Sequence, residues 1–95
     1  MEFLVQIAVA LPHDMPEERQ RELRAAELAA GQHLLSRGTI QRIWRVPGTS
    51  GNLAIWRAVD ADELHRAISS LPLFPWLTVS VQALASHPVE ERHDD

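Results

Sequence analysis

The chain contains no cysteine and no lysine; all 9 of its basic residues are arginine. Without cysteine there is no thiol nucleophile, no thiolate metal site and no disulfide. Without lysine there is no Schiff-base amine, no P-loop lysine and no lysine general base. Long apolar runs are missing too, and none approaches the roughly 20 residues that cross a membrane as a helix. Basic charge is scarce: 9 arginines against 13 acids give a formal charge of −4, with the acids spread along the chain. No surface for a phosphate backbone is expected, and so no nucleic-acid partner. Met1 opens directly into a strand-like alternation, with neither a basic n-region nor a long apolar h-region, so a cytoplasmic location without membrane association is the expectation. What remains is 95 residues, 45% hydrophobic, which describes one soluble domain with a single core.

Period-two alternation places Phe3, Val5, Ile7, Val9 and Leu11 on one face of a first strand that Pro12 ends. The alternate positions Glu2, Leu4, Gln6, Ala8 and Ala10 are mixed, which suggests a second face covered by another subunit. Asp14 with Glu17 reads as a capping box, and a long helix rich in Ala, Leu, Glu and Arg is predicted to run to Arg37, stopped by Gly38. Thr39 to Val46 suits a strand, with Ile40, Trp44 and Val46 facing one way and Gln41, Ile43 and Arg45 the other. Residues 47–52, Pro-Gly-Thr-Ser-Gly-Asn, form the clearest loop. Leu53 to Val59 makes the next strand and, with its predecessor, an antiparallel hairpin.

Asp60 with Glu63 repeats the capping signal ahead of a shorter amphipathic helix carrying Leu64, Ala67, Ile68 and Leu71. Two prolines bar helix from residues 71–76, and Leu77, Val79, Val81 and Ala83 mark a fourth strand. The order is β-α-β-β-α-β, which predicts an α+β, ferredoxin-like fold: a four-stranded antiparallel sheet with two helices on one face, dimerising through the other. Residues 1–85 form that domain. Residues 86–95 are a polar tail, expected to order only against a neighbouring subunit. The pocket is expected between the sheet and its partner.

Glu27 is the most informative position, because the stripe Leu23, Glu27, Ala30, Leu34 is otherwise apolar. Two readings are open. It is an edge carboxylate paired with an arginine or left wet, or it is a buried carboxyl whose pKa desolvation raises toward the range of a useful general base. Arg45, beside Trp44, lies in the hairpin with Arg42 and Arg57; it is either a bidentate clamp for a substrate carboxylate or a solvated or ion-paired surface group. Asn52 closes the loop, as a turn residue or as a donor to a bound oxygen. The histidines at 13, 33, 65, 87 and 93 share no ligand spacing, so no metal is expected. His65, between Leu64 and Ile68, suits a boundary position. Trp44, Trp56, Trp76 and Phe74 suit packing, or the walls of a flat-ring site.

Leu11-Pro12 followed by Asp14-Met15, then Arg37-Gly38-Thr39, Trp44-Arg45, Leu64-His65, Leu71-Pro72-Leu73-Phe74-Pro75 and His87-Pro88 together resemble the muconolactone delta-isomerases along nearly the whole chain. The Leu-Pro-Leu-Phe-Pro run is the most specific piece, since no periodicity demands it. The resemblance implies a cofactor-free isomerase of aromatic catabolism through 3-oxoadipate, which shifts a double bond in a five-membered lactone bearing an acetate. It implies Glu27 as the base, Arg45 as the cation for the acetate and Asn52 or His65 as donor to the enolate oxygen, so Glu27 and His65 are the catalytic candidates; Arg45, Asn52, Gln6, Trp44 and Trp56 are the expected substrate contacts, the last three from their place in the strands. It also implies a homo-oligomer, a decamer built of dimers. Two positions depart from the family: Gln6, where members commonly carry lysine, and Thr49-Ser50, where they carry a His-Tyr pair. The alternatives are a relative recruited to another lactone or polyketide-like substrate, as a cyclase, isomerase or cofactor-free oxygenase, and a non-catalytic oligomeric binding protein.

Overall fold

The computed structural model describes residues 1–90. Its elements are β1 (Glu2–Val9), α1 (Glu17–Arg37), β2 (Ile40–Arg45), β3 (Asn52–Arg57), α2 (Ala61–Ser69) and β4 (Leu77–Leu84), with single 3-10 turns at Phe74–Trp76 and Pro88–Glu90. The strands pair antiparallel in the order β2-β3-β1-β4, so β1 and β3 are central. Phe3, Val5 and Ile7 turn one face of β1 into the core, where Leu34 of α1 and Leu64 and Ile68 of α2 meet them. Both helices therefore lie on one face of a four-stranded sheet, the α+β arrangement expected from the element order. Of the polar tail, residues 86–90 carry the last 3-10 turn, and residues 91–95, with His93, lie outside the described residues.

The helix starts differ. Asp60 caps α2, accepting from the Glu63 N–H at 2.8 Å, while the Glu63 carboxylate reaches back to the Val59 N–H at 3.3 Å. The expected Asp14–Glu17 box is absent. Pro16 takes the N-cap position of α1 at φ −53°, ψ 140°, and no side chain caps there. A proline disfavours helical geometry at the residue before it, so Met15 stays out of the helix and Asp14 is stranded upstream. Gln20 instead turns back, its Nε2 donating to the Met15 carbonyl at 2.9 Å. Gly38 ends α1 as expected, in left-handed geometry at φ 82°.

A bulge in β2 overturns the expected facing of that strand. Ile40 pairs with Trp56 but Arg42 pairs with Ile55, so Gln41 is an extra residue and the alternation slips by one. Directly opposed residues of an antiparallel pair share a face. Ile40, Ile43 and Arg45 thus join Trp56, Ala54 and Asn52 on the helix side, and Trp44 moves to the outer face opposite Leu53. Gln41 lies between Glu2 and Arg57, and with its amide turned so that nitrogen faces Glu2 it would donate there at 2.7 Å and accept from Arg57 at 2.9 and 3.1 Å. Without this slip Arg45 would face away from α1.

Candidate active site

The site forms between α1 and the β2-β3-β1 side of the sheet, within one chain. The bulge sends Arg45 and Ile43 toward α1, on the helix side of the sheet. Two connected spaces lie here. A cavity of about 250 Å³ is lined by apolar side chains together with Glu27, Gln32 and Asn52. It opens beside a groove of about 360 Å³ that adds Arg24, Arg45 and Ser50. Both are bordered by Ile7, Leu28, Ile43, Glu27 and Asn52, so carboxylate and amide stand at the junction.

Glu27 sits in the third turn of a 21-residue helix, on the stripe that ends at buried Leu34. It is half-buried, and its partner is not an arginine. Its Oε1 accepts a hydrogen bond from the backbone N–H of Leu73 at 3.0 Å. Burial pushes the carboxyl above its ordinary value of 4.5, and the Leu73 N–H opposes that rise by favouring the charged form. Burial is the larger effect. Its hydrogen-bond partner is thus a backbone N–H, and its position is half-buried, between the wet and the fully buried readings. Leu73 can serve because the proline-interrupted run turns at Phe74–Trp76 instead of continuing α2, which leaves its N–H free of helical bonding.

Asn52 does not carry the turn. Thr49 does so, donating through Oγ1 to the Val46 carbonyl at 2.9 Å and accepting from the Gly51 N–H at 3.0 Å. Gly51 presses on the Ile7 carbonyl so closely that any Cβ would collide with it, and this contact brings the loop down beside β1. Asn52 then opens β3, paired with Ile7 and Arg45, and its Oδ1 is buried without a partner. Trp56, 1% exposed, walls the cavity, and its indole Nε1 is the other buried polar side-chain atom without a partner among the described residues.

Two expected site residues, His65 and Gln6, line other surfaces, and a third, Trp44, is at the rim of the Arg45 groove. His65 lies on α2 edge-on to Phe74, ring centroids 6.3 Å apart, and borders a separate apolar groove with Leu64, Ile68, Leu77 and Val79. Gln6 faces outward among Leu4, Leu53, Ser80 and Gln82. Trp44 borders the Arg45 groove, but its ring lies 4.8 Å from the Arg42 guanidinium carbon. Sequence reading passed over Arg24, Leu73 and Gly31. Arg24 was within reach, being one helical turn before Glu27 on the same face. Among the described residues no group of three or more His, Asp or Glu is placed to hold a metal ion.

Comparison with known proteins places the chain in a family and a fold. The pattern of the family described as Muconolactone delta-isomerase matches residues 1–90. The Muconolactone Delta-isomerase of Cupriavidus pinatubonensis is 42% identical over 88 residues, covering 93% of this chain and 96% of that one. Its counterpart from Acinetobacter baylyi is 36% identical over 95 residues, covering 100% and 99%. The crystal structure of a muconolactone isomerase superposes with a TM-score of 0.90 at 34% identity, over 100% of this chain and 99% of the other. A 5-chloro-2-hydroxyhydroquinone dehydrochlorinase of Burkholderia phenoliruptrix shares the fold alone, at TM-score 0.70 and 19% identity. With a match spanning the whole described chain, and full-length relatives above 30% identity, the chain belongs to the muconolactone delta-isomerase family.

Proposed function

We propose that this chain isomerises muconolactone to 3-oxoadipate enol-lactone in aromatic catabolism, with Glu27 as the group that carries the proton. The observation that carries the role of Glu27 is its setting: a desolvated carboxyl, held by one backbone N–H, at the mouth of an apolar cavity. Ionised, it removes the proton from the ring carbon that bears the acetate. The electron pair spreads through the ring double bond into the lactone carbonyl. The carboxylic acid so formed returns a proton to the carbon next to that carbonyl, and the double bond has moved by one position. Because Leu73 engages Oε1, the other carboxylate oxygen is left to face the ring.

Arg45 is the cation for the acetate, entering from β2, with Arg24 of α1 lining the same groove. Asn52 stands at the junction, where the enolate oxygen develops, and its amide is the donor for that charge. Among the described residues Glu27 is the one titratable group lining the cavity, so the same carboxyl takes and returns the proton. His65, on its separate groove, has no part in this scheme. The reading includes no cofactor, a cytoplasmic location and a homo-oligomer. Exposed Trp44 and Leu84 with half-buried Leu4, Leu53 and Ile55 on the outer sheet face, and Val89 at 87% exposure in the tail, support assembly.

The test is an ultraviolet assay with muconolactone, with and without EDTA, beside Glu27→Gln. Turnover that ignores EDTA and disappears in the variant is expected. A folded protein inactive on muconolactone would overturn the reading.

A further inference from the structure

The groove beside Glu27 holds more positive charge than the lactone uses. Muconolactone carries one carboxylate, its acetate, and Arg45 of β2 meets it. Arg24 enters the same groove from α1, one helical turn before Glu27. Among the described residues the one acid lining this groove is Glu27. That carboxyl is already engaged: its Oε1 accepts from the Leu73 N–H, and burial opposed by this bond, not a neighbouring cation, accounts for the direction of its pKa. Arg24 therefore brings to the wall of the site a charge that neither Glu27 nor the acetate takes up.

The rest of the groove is largely apolar, with Ile7, Val9, Leu28, Ile43 and Leu73 on its walls, and it encloses about 360 Å³. Two guanidinium groups with hydrocarbon between them are complementary to a methylene chain that carries a carboxylate at each end. An inorganic anion or a polyol would leave the apolar walls unmatched. The reaction's own product gives rise to a molecule of the matching kind. Hydrolysis of the enol-lactone consumes one water, breaks the ring acyl C–O bond and frees a second carboxylate, while the enol becomes a ketone. The result is an open-chain dianion. Overall charge does not draw it in, because the chain carries a formal −4.

Resting on the isomerase reading, we infer that the groove binds open-chain dicarboxylates, one carboxylate on Arg45 and the other on Arg24, and that these dianions compete with muconolactone. Arg24 then selects ligands and takes no part in proton transfer. The free torsions of an open chain let it reach from β2 to α1. The closed lactone, with its one carboxylate on Arg45, has none left for Arg24. Accumulated ring-opened acid thus slows the isomerase.

The experiment uses adipate as the dianion and hexanoate, the same chain with one carboxylate, as its control. Calorimetric titration of the unaltered protein is expected to show adipate bound about tenfold or more tightly than hexanoate. Adipate should also raise KM for muconolactone without changing kcat. Arg24→Gln should bring the two affinities together, while Arg66→Gln, which removes the same charge from α2 away from the groove, should preserve the difference. Both positions are exposed, so neither change touches the core. Equal affinities in the unaltered protein overturn the inference. So do a preference that survives Arg24→Gln and adipate binding that leaves KM unchanged. Arg24-dependent binding of adipate by a protein that does not isomerise muconolactone upholds the dicarboxylate site and removes the isomerase reading instead.

Discussion

The backbone N–H of Leu73 donates to Glu27 Oε1 at 3.0 Å across 46 positions of sequence. This bond ties the one specific motif of the chain, Leu-Pro-Leu-Phe-Pro, to its one out-of-place charge. Each explains the other. The prolines keep residues 71–76 out of the α-helix, so an N–H remains to be given away, and the acid on an apolar stripe has a partner that is not a cation. A neutral donor orients the carboxylate without cancelling its charge, as an arginine would. The carboxyl therefore keeps the raised pKa that burial gives it, which suits a proton carrier.

Replacing Glu27 by Gln preserves shape and an oxygen that can accept from Leu73, but removes the base. Turnover should fall by about 10²–10⁴-fold, the usual contribution of a positioned acid-base group. Stability should move the other way. A carboxyl whose folded pKa is raised binds its proton more tightly in the folded chain, so folding loses stability as pH rises from the unfolded toward the folded value. Glu27→Gln should therefore melt above the unaltered protein at neutral pH, with the difference shrinking below the ordinary carboxylate range. Melting scans at both pH values, beside the rate, check this.

The same shift sets the pH dependence of the reaction. The base works only when ionised, so kcat/KM should rise with pH through a midpoint above 4.5 and then level. A midpoint at or below that ordinary value would mean that the Leu73 hydrogen bond outweighs burial. A rate profile in buffers of constant ionic strength measures it directly.

Much of this was readable in advance. Phe3, Val5 and Ile7 alternate plainly, Asp60 and Glu63 announce α2, and Glu27 stands out because its neighbours on the stripe are apolar. Arg45 is harder. Its position at the site depends on Gln41 being an extra residue in β2, and a bulge leaves no mark on strict alternation until the register against β3 is known. The capping box at Asp14 fails because Pro16 acts on Met15, a local steric effect that outranks a favourable pair. His65 entered through resemblance and Gln6 as a departure from it, and the fold puts them on another groove and another face. Leu73 acts through its backbone, which no side-chain pattern can reveal.

Arg45 should be a binding group more than a reacting one. Charge-assisted hydrogen bonds are worth about 1.5–3 kcal/mol, so Arg45→Ala should raise KM by roughly 10–100-fold with a smaller change in kcat. Arg45→Lys should recover only part of the loss, because an ammonium lacks the planar fork that meets both carboxylate oxygens. Steady-state kinetics of both variants separate charge from geometry. A kcat loss at unchanged KM would place Arg45 at the reacting carbons instead.

Because Glu27 is the one titratable residue lining the cavity among the described residues, the proton it removes should be the proton it returns, on the same face of the ring. In deuterated water, part of the product's new C–H should retain the substrate's hydrogen at early turnover, measured by proton NMR or mass spectrometry. Hydrogen drawn wholly from solvent would count against a single carboxyl that keeps its proton between removal and return.

Gly31 gives the last prediction, and it separates space from structure. Alanine in the interior of a helix is better than glycine by about 0.8–1 kcal/mol, and a Cβ at this position meets no atom within 4 Å. Gly31→Ala should therefore raise the melting temperature, by about 4–8 °C per kcal/mol for a domain of this size, with scans made at one protein concentration because assembly would shift them too. Glycine here would then lower stability while enlarging the cavity beside Glu27. A variant that melts lower would instead make Gly31 a packing requirement of α1.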